Sequence, residues 1–178
     1  MLILASQSPR RKELLKLICD DFIVEVADID EKAIHTTNSE LAKELSKYKA
    51  YEVFSKHPDA TVLACDTVVI IDDEILGKPA NYEEAFEMLS KLSGRRHHVI
   101  SGFTIINKDK EVNRSVVTSV YFNKLTPEQI DEYIKSGSPF DKAGGYGIQD
   151  KKYDLINRIE GSYYNVVGLP IEVIKNYL

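Results

Sequence analysis

The sequence has two cysteines in 178 residues, Cys19 and Cys65. Each sits beside an apolar residue and an aspartate, and they form no metal-type or redox-type spacing. That excludes a cysteine-ligated metal site and a dithiol redox site, and it predicts free, buried thiols. Long apolar runs are also missing. None approaches the roughly 18–20 residues that span a bilayer. A leader of the basic-then-apolar kind is absent, because the first charges follow the apolar residues. These features predict a cytoplasmic chain with no membrane partner. Positive charge is in deficit as well: 23 Lys and Arg against 28 Asp and Glu give a net charge of −5. This argues against duplex nucleic acid as a partner. An anionic ligand would need a local basic cluster working against the global field. Repeats, low-complexity segments and linkers are not found.

What is present is an ordinary globular composition, 43% hydrophobic and 29% charged. Residues 2–5 predict a buried strand, and 9–19 a helix with Leu14, Leu15 and Ile18 on one face. Residues 22–26 predict a strand, 27–38 an acidic loop, and 40–56 a helix. Thr61–Cys65 predicts a central strand that ends at Asp66-Thr67, with a second apolar run over 68–71. Asn81 caps a helix that Ser93-Gly94 ends. Residues 97–106 and 112–122 predict two long strands around a turn at 107–110. Thr126-Pro127-Glu128-Gln129 is a capping box that opens a helix to about Ser136. A glycine-rich loop covers 141–149, and Gly168-Leu169-Pro170 opens the last helix. The alternation predicts an α/β fold with a mixed central sheet flanked by helices, in one domain over 1–178.

The first dozen residues carry the strongest chemical signal. A strand runs into Ser6-Gln7-Ser8-Pro9, and then Arg10, Arg11 and Lys12 follow. Ser8 suits the N-cap and Pro9 the first helical position. Free N–H groups of a first turn attract anions. Cations there oppose the helix dipole by roughly 0.3–1 kcal/mol each, a cost that an anionic ligand would offset. The same pattern is also a common strand–helix connection.

Other segments offer complementary groups. Asp66 stands where an apolar strand gives way to a loop, a usual ligand position in α/β proteins. With Asp28, Asp30 and Glu31 it belongs to the hard oxygen donors that suit Mg²⁺ or Mn²⁺. Asp66 could equally cap a turn at Thr67, and the loop acids could simply be solvated. Gly77-Lys78-Pro79 presents a lysine able to reach a phosphate as a point charge, or forms a plain surface turn. Gly144-Gly145-Tyr146-Gly147 lacks the Gly-Lys-Ser/Thr ending of a phosphate loop and, taken alone, reads as a flexible loop. His97 and His98 point to opposite faces of a strand and read as structural.

In order along the chain, Ala5-Ser6-Gln7-Ser8-Pro9-Arg10-Arg11, Ile29-Asp30-Glu31, Lys49-Ala50, Cys65-Asp66-Thr67, Gly77-Lys78-Pro79, Asp141-Lys142-Ala143-Gly144, Tyr146-Gly147-Ile148-Gln149 and Val166-Val167-Gly168-Leu169-Pro170 resemble the motifs of the Maf family of nucleoside triphosphate pyrophosphatases. The resemblance implies two lobes around a nucleotide cleft, in a Maf/ITPase-like fold, and a homodimer. It places the catalytic acid at Asp66, an acidic partner at Glu31, and active-site lysines at Lys49 and Lys78. It makes Asp66 and Glu31 the ligands of a divalent cation, and Ser6, Ser8, Arg10 and Arg11 the phosphate grip. Members acting on dTTP and UTP carry Arg, Thr and Gln at three specificity positions, which fall here on Arg11, Thr67 and Gln149. The implied reaction is metal-assisted hydrolysis of dTTP and UTP to the monophosphate and pyrophosphate. Two alternatives stay open: clearance of modified or non-canonical nucleotides, and a non-catalytic nucleotide-binding regulator of cell division. Cys65, where alanine is common, and Gly145, where another small residue is usual, are departures that remove no functional group.

Overall fold

The computed structural model describes residues 1–178. Seven strands form one mixed sheet, in the order β2-β1-β3-β5-β6-β7, with β4 paired to β3. The strands are β1 Leu2–Ala5, β2 Ile23–Val24, β3 Thr61–Ile71, β4 Glu74–Leu76, β5 Arg96–Ile106, β6 Glu111–Phe122 and β7 Ile156–Glu160. The helices are α1 Pro9–Lys16, α2 Leu41–Lys56, α3 Tyr82–Leu92, α4 Pro127–Lys135, α5 Tyr163–Val167 and α6 Ile171–Ile174. No helix is long and apolar enough to cross a membrane. The chain divides into two compact units, and the division falls inside β3, β5 and β6.

The first unit comprises Met1–Thr67, Ser101–Val116 and Gly168–Leu178. Here β1 pairs in parallel with both β2 and β3. Its core joins Ile3 and Ala5 of β1, Val62 and Ala64 of β3, and Ala50 and Val53 of α2. Helix α2 lies very close to β5. A Cβ built on Gly102 would fall 2.2 Å from the Lys43 nitrogen and 2.3 Å from the Ala42 carbonyl carbon. Only glycine fits that approach. Beside it, Ser46 and Thr104 share a buried hydrogen bond of 2.8 Å, and the Asn113 amide donates to Thr104 Oγ1 at 2.7 Å.

The second unit comprises Val68–Ile100 and Val117–Val167. In it β4 and β7 pair antiparallel with β3 and β6. Its core gathers Val69, Leu76, Leu89, Leu92, Val99, Phe122, Ile130, Tyr133 and Tyr146. The Asn81 cap holds α3 as expected, and Thr126 and Gln129 close a full capping box on α4. Packing outweighs these caps. Burial of Leu89 and Leu92 contributes roughly 1.5–3 kcal/mol each, against about 1 kcal/mol for a cap.

Several sequence expectations need correction. The apolar run at 61–65 does not end at Asp66; β3 continues through Asp66-Thr67 to Ile71. Ladder pairing tolerates the two polar residues, which are half-buried between fully buried stretches. Helix α1 stops at Lys16 instead of 19, where Leu17 caps it and the Cys19 N–H reaches back to the Leu15 carbonyl. The strand expected over 22–26 pairs only at Ile23–Val24, both exposed. Cys65 is buried but Cys19 only half so. Strand β7 and helix α5 are additions: β7 is exposed and charged, and α5 spans only five residues, so neither shows a clear period.

Candidate active site

The register of β1 on β3 builds the site in the first unit. Ala5 is the last residue of β1 and pairs with Ala64. Beyond that point β3 runs on alone on this side, so Asp66 and Thr67 lie level with the loop that leaves β1. Asp66 is therefore mid-strand in β3 but at the carboxyl end of its neighbour, the position where parallel sheets leave room for ligands.

That loop is ordered by its own serines. The Ser8 N–H donates to Ser6 Oγ at 3.2 Å, and Ser8 Oγ accepts from the Arg11 N–H as the cap of α1, with Pro9 at the helix start. The Arg11 side chain then spreads over three neutral partners. Its Nε donates to the Gly168 carbonyl at 2.9 Å, one terminal nitrogen to Thr67 Oγ1 at 3.1 Å, and the other to Ser6 Oγ at 3.4 Å. These bonds fix the planar guanidinium while leaving its charge unspent on any carboxylate, which preorganises it for an anion. Arg10, half-buried, stands at the same helix start.

The second half of the site is ionic. Lys49 lies on α2 four residues from buried Leu45 and four from buried Val53, so it occupies an apolar stripe. Its side chain is only 17% exposed. A lysine so placed needs partners. Glu31, on a single 3-10 turn capped by Asp30, receives it at 2.7 Å, and Asp66 Oδ2 forms a short ion pair with it. Burial pushes the Lys49 pKa down, but the Asp66 and Glu31 carboxylates outweigh it and hold the ammonium above its ordinary value. Asp66 Oδ1 accepts from the Thr67 N–H at 2.9 Å, so the turn-cap bond and the ion pair coexist on one carboxylate. Burial pushes the neighbouring Cys65 thiol up to about 11, which leaves it a neutral packing group and not a nucleophile.

The first unit thus brings together Ser6, Ser8, Arg11, Glu31, Lys49, Asp66 and Thr67. Asp28 lies elsewhere, with its N–H on Glu52. Lys78 and Gln149 belong to the second unit, where both are exposed. Their loops are joined: the Gly144 N–H donates to the Gly77 carbonyl at 3.0 Å. Gly144 has φ +73° and its missing Cβ would sit 3.0 Å from Val69 Cγ1, so this turn requires glycine. The run read as a flexible loop begins on one short 3-10 turn, Ala143–Gly145, in which Gly144 and Gly145 are buried, and continues extended at Tyr146. His97 is structural as expected. It is buried, its Nε2 meets the Tyr146 hydroxyl at 2.6 Å, and burial lowers its pKa to about 3.

Sequence reasoning left Ser101 and Gly168 without roles. Ser101 Oγ shares a 2.8 Å hydrogen bond with Thr67 Oγ1. Gly168 has φ +127°, a conformation that aims its carbonyl at Arg11 and Cys65. Its place in the Val166–Pro170 motif was the available signal. Ser101 gave none, because its partner is 34 residues away.

Comparisons with known proteins bear on the family and the fold. The family model described as Maf-like protein matches residues 1–178. A dTTP/UTP pyrophosphatase of Thermosipho africanus is 50% identical over 99% of this chain and 91% of its own. One of Symbiobacterium thermophilum is 48% identical over 96% of this chain and 88% of its own. The structure of the Staphylococcus aureus Ham1 protein matches 99% of this chain and 96% of its own, with a TM-score of 0.58 at 15% identity, a likeness of fold alone. A family match from the first residue to the last, with relatives at this identity, means that the chain belongs to the Maf family.

Proposed function

We propose that this chain hydrolyses dTTP and UTP between the α- and β-phosphates, consuming one water and releasing the monophosphate and pyrophosphate. The observation that carries the reading is the Lys49 ammonium held by Asp66 and Glu31, one residue along β3 from the Arg11–Thr67 cluster. A binding module would have no use for a carboxylate facing a phosphate chain, whereas a hydrolase needs one. The relatives named above are dTTP/UTP pyrophosphatases, which supports the substrate.

In this mechanism Asp66 takes the proton of the attacking water. Lys49 orients the Asp66 carboxylate and offsets charge that develops on the phosphate oxygens. Arg10, Arg11, Ser6, Ser8 and the N–H groups of the first turn of α1 grip the phosphates. Lys78 adds a further cation. Thr67 and Gln149 read the pyrimidine, since a side-chain amide both donates to and accepts from the imide edge of uracil or thymine. The whole chain, 1–178, acts as one catalytic domain.

The residues present fit a divalent cation. Asp66 and Glu31 both reach the Lys49 ammonium, so their oxygens converge on one place for positive charge. No third His, Cys, Asp or Glu completes a cluster, and Mg²⁺ or Mn²⁺ commonly takes its other ligands from phosphate and water. When bound, such an ion neutralises phosphate charge and acidifies a water.

A pyrophosphate-release assay over pyrimidine and purine triphosphates, with Mg²⁺ or Mn²⁺, tests the reading. Turnover of dTTP and UTP that Asp66→Asn abolishes is expected. Equal turnover by wild type and variant removes Asp66 from the chemistry, and a purine preference removes the substrate assignment.

A further inference from the structure

The turn that carries Gln149 is held by a polar network in which every hydrogen has one direction. The turn runs from Gly147 to Asp150 and is closed by the Asp150 N–H on the Gly147 carbonyl at 3.1 Å. The Tyr133 hydroxyl, from α4, reaches both ends of it. It accepts from the Gly147 N–H at 3.0 Å and donates to Asp150 Oδ2 at 2.6 Å. Ser138 Oγ donates to the same carboxylate oxygen at 2.5 Å, and Lys142 Nζ donates to Ser138 Oγ at 3.0 Å and to the Ser138 carbonyl at 2.8 Å. Lys142 can only donate and ionised Asp150 only accept, so both hydroxyl protons must point at Asp150. The Tyr133 lone pairs are then turned to Gly147.

The Tyr133 ring is fully buried and stacks edge-on against Tyr153 at 4.9 Å, which fixes the hydroxyl in place. A Cβ on Gly147 would lie 2.7 Å from Lys142 Cε and 3.1 Å from Asp150 Oδ2, so these two side chains lie close against the turn. One residue before the turn, the buried Tyr146 hydroxyl is pinned to His97 Nε2. Gln149 itself is exposed. This part-buried polar network, anchored on the buried Tyr133 ring, thus holds the backbone beneath a single outward amide.

We propose that Tyr133 and Asp150 are positioning residues that set nucleobase selectivity by fixing the turn beneath Gln149. The inference rests on the reading of Gln149 as the residue that meets the base. The clamped turn fixes the distance and angle at which the Gln149 amide meets a base edge, and so how much a matched edge gains over a mismatched one. Cytosine offers an amino donor where uracil offers a carbonyl acceptor.

The test compares kcat and KM for dTTP, UTP and CTP across Tyr133→Phe, Asp150→Asn, Gln149→Ala and wild type, at a temperature well below each thermal midpoint. The expected result for Tyr133→Phe is a five- to tenfold fall in the dTTP-to-CTP ratio of kcat/KM, the size of one net hydrogen bond. The fall appears in KM, with kcat held within about twofold. Asp150→Asn keeps one acceptor oxygen and gives a smaller fall. Ser138→Ala, which leaves Tyr133 and Asp150 paired, gives the smallest and guards against a Tyr133→Phe chain that fails to fold. A changed ratio in Gln149→Ala with unchanged ratios in all three network variants overturns the positioning role. An unchanged ratio in Gln149→Ala overturns the base-reading assignment and the inference with it. A fall in thermal midpoint with every ratio intact makes the network structural only and overturns the inference.

Discussion

The two units hold their functional side chains in opposite ways. In the first, the side chains themselves are tied: Arg11 to Gly168, Thr67 and Ser6, and Lys49 to Glu31 and Asp66. In the second, Lys78 and Gln149 stand exposed while the backbone beneath Gln149 is clamped through Tyr133 and Asp150. On the roles proposed above, the difference follows from the work. Groups that stabilise charge gain from being oriented before the substrate arrives, since no reorganisation is then needed at the moment of reaction. A group that must discriminate a base needs its hydrogen-bonding face free, so rigidity has to come from the main chain.

The comparison breaks most visibly at Asp66. Asp66→Asn is expected to lower kcat by at least about a hundredfold, the range for loss of a general base, as read by pyrophosphate release. Wild-type turnover in this variant would mean that the ion-paired half of the first unit does no chemistry. Next comes Gly102→Ala, which drives a methyl into the backbone of α2. The expected loss is about 1–3 kcal/mol or more, seen as a drop of several degrees in thermal midpoint, with kcat falling too because α2 carries Lys49. An unchanged midpoint would show that α2 is not packed on β5 as described.

Ser101→Ala sharpens the contrast at lower amplitude. It removes one hydroxyl partner of Thr67 and leaves the three Arg11 bonds in place. Weakened dTTP affinity by about three- to fivefold is expected, with kcat preserved. A loss confined to kcat would move Thr67 from recognition to catalysis.

The last comparison concerns stability in the second unit. His97 is buried against Phe122 and Tyr146, with its pKa lowered from 6.5 to about 3, by burial first and then by the charge of the adjacent His98. Between those values the unfolded chain binds a proton that the folded chain refuses. This contribution is fully present above about pH 6.5 and is lost as pH falls toward 3, at up to about 1.4 kcal/mol per pH unit. Denaturant titrations at pH 7, 6 and 5 should show a shallower decline for His97→Leu than for wild type. Parallel declines would place the acid sensitivity elsewhere.

Much of the site was legible because its motifs are contiguous. Ser8 before Pro9, the Arg10-Arg11 pair and Asp66-Thr67 carry their chemistry in adjacent residues. Lys49 was signalled by the resemblance to the family's motifs alone; that it stands four residues from buried Leu45 and Val53, and so needs a carboxylate partner, shows only in the structure. What escaped depends on pairs far apart in sequence. Gly102 matters only because α2 crosses it, and Ser101 only because β5 runs beside β3. The clamp on Gly147 comes from a tyrosine that, on its own helix, looks like any core aromatic. In the fold, Asp66-Thr67 imitated a strand end because polarity was mistaken for a break in pairing, while Ile156–Glu160 had no apolar run to reveal it as an edge strand.

The most direct measurement sets Asp66→Asn beside Gln149→Ala in one assay of kcat and KM for dTTP and CTP. The account predicts that Asp66→Asn loses kcat for both nucleotides and keeps their ratio. It predicts that Gln149→Ala keeps kcat for dTTP and loses the ratio. Retained turnover in the first variant, or a retained ratio in the second, would contradict it.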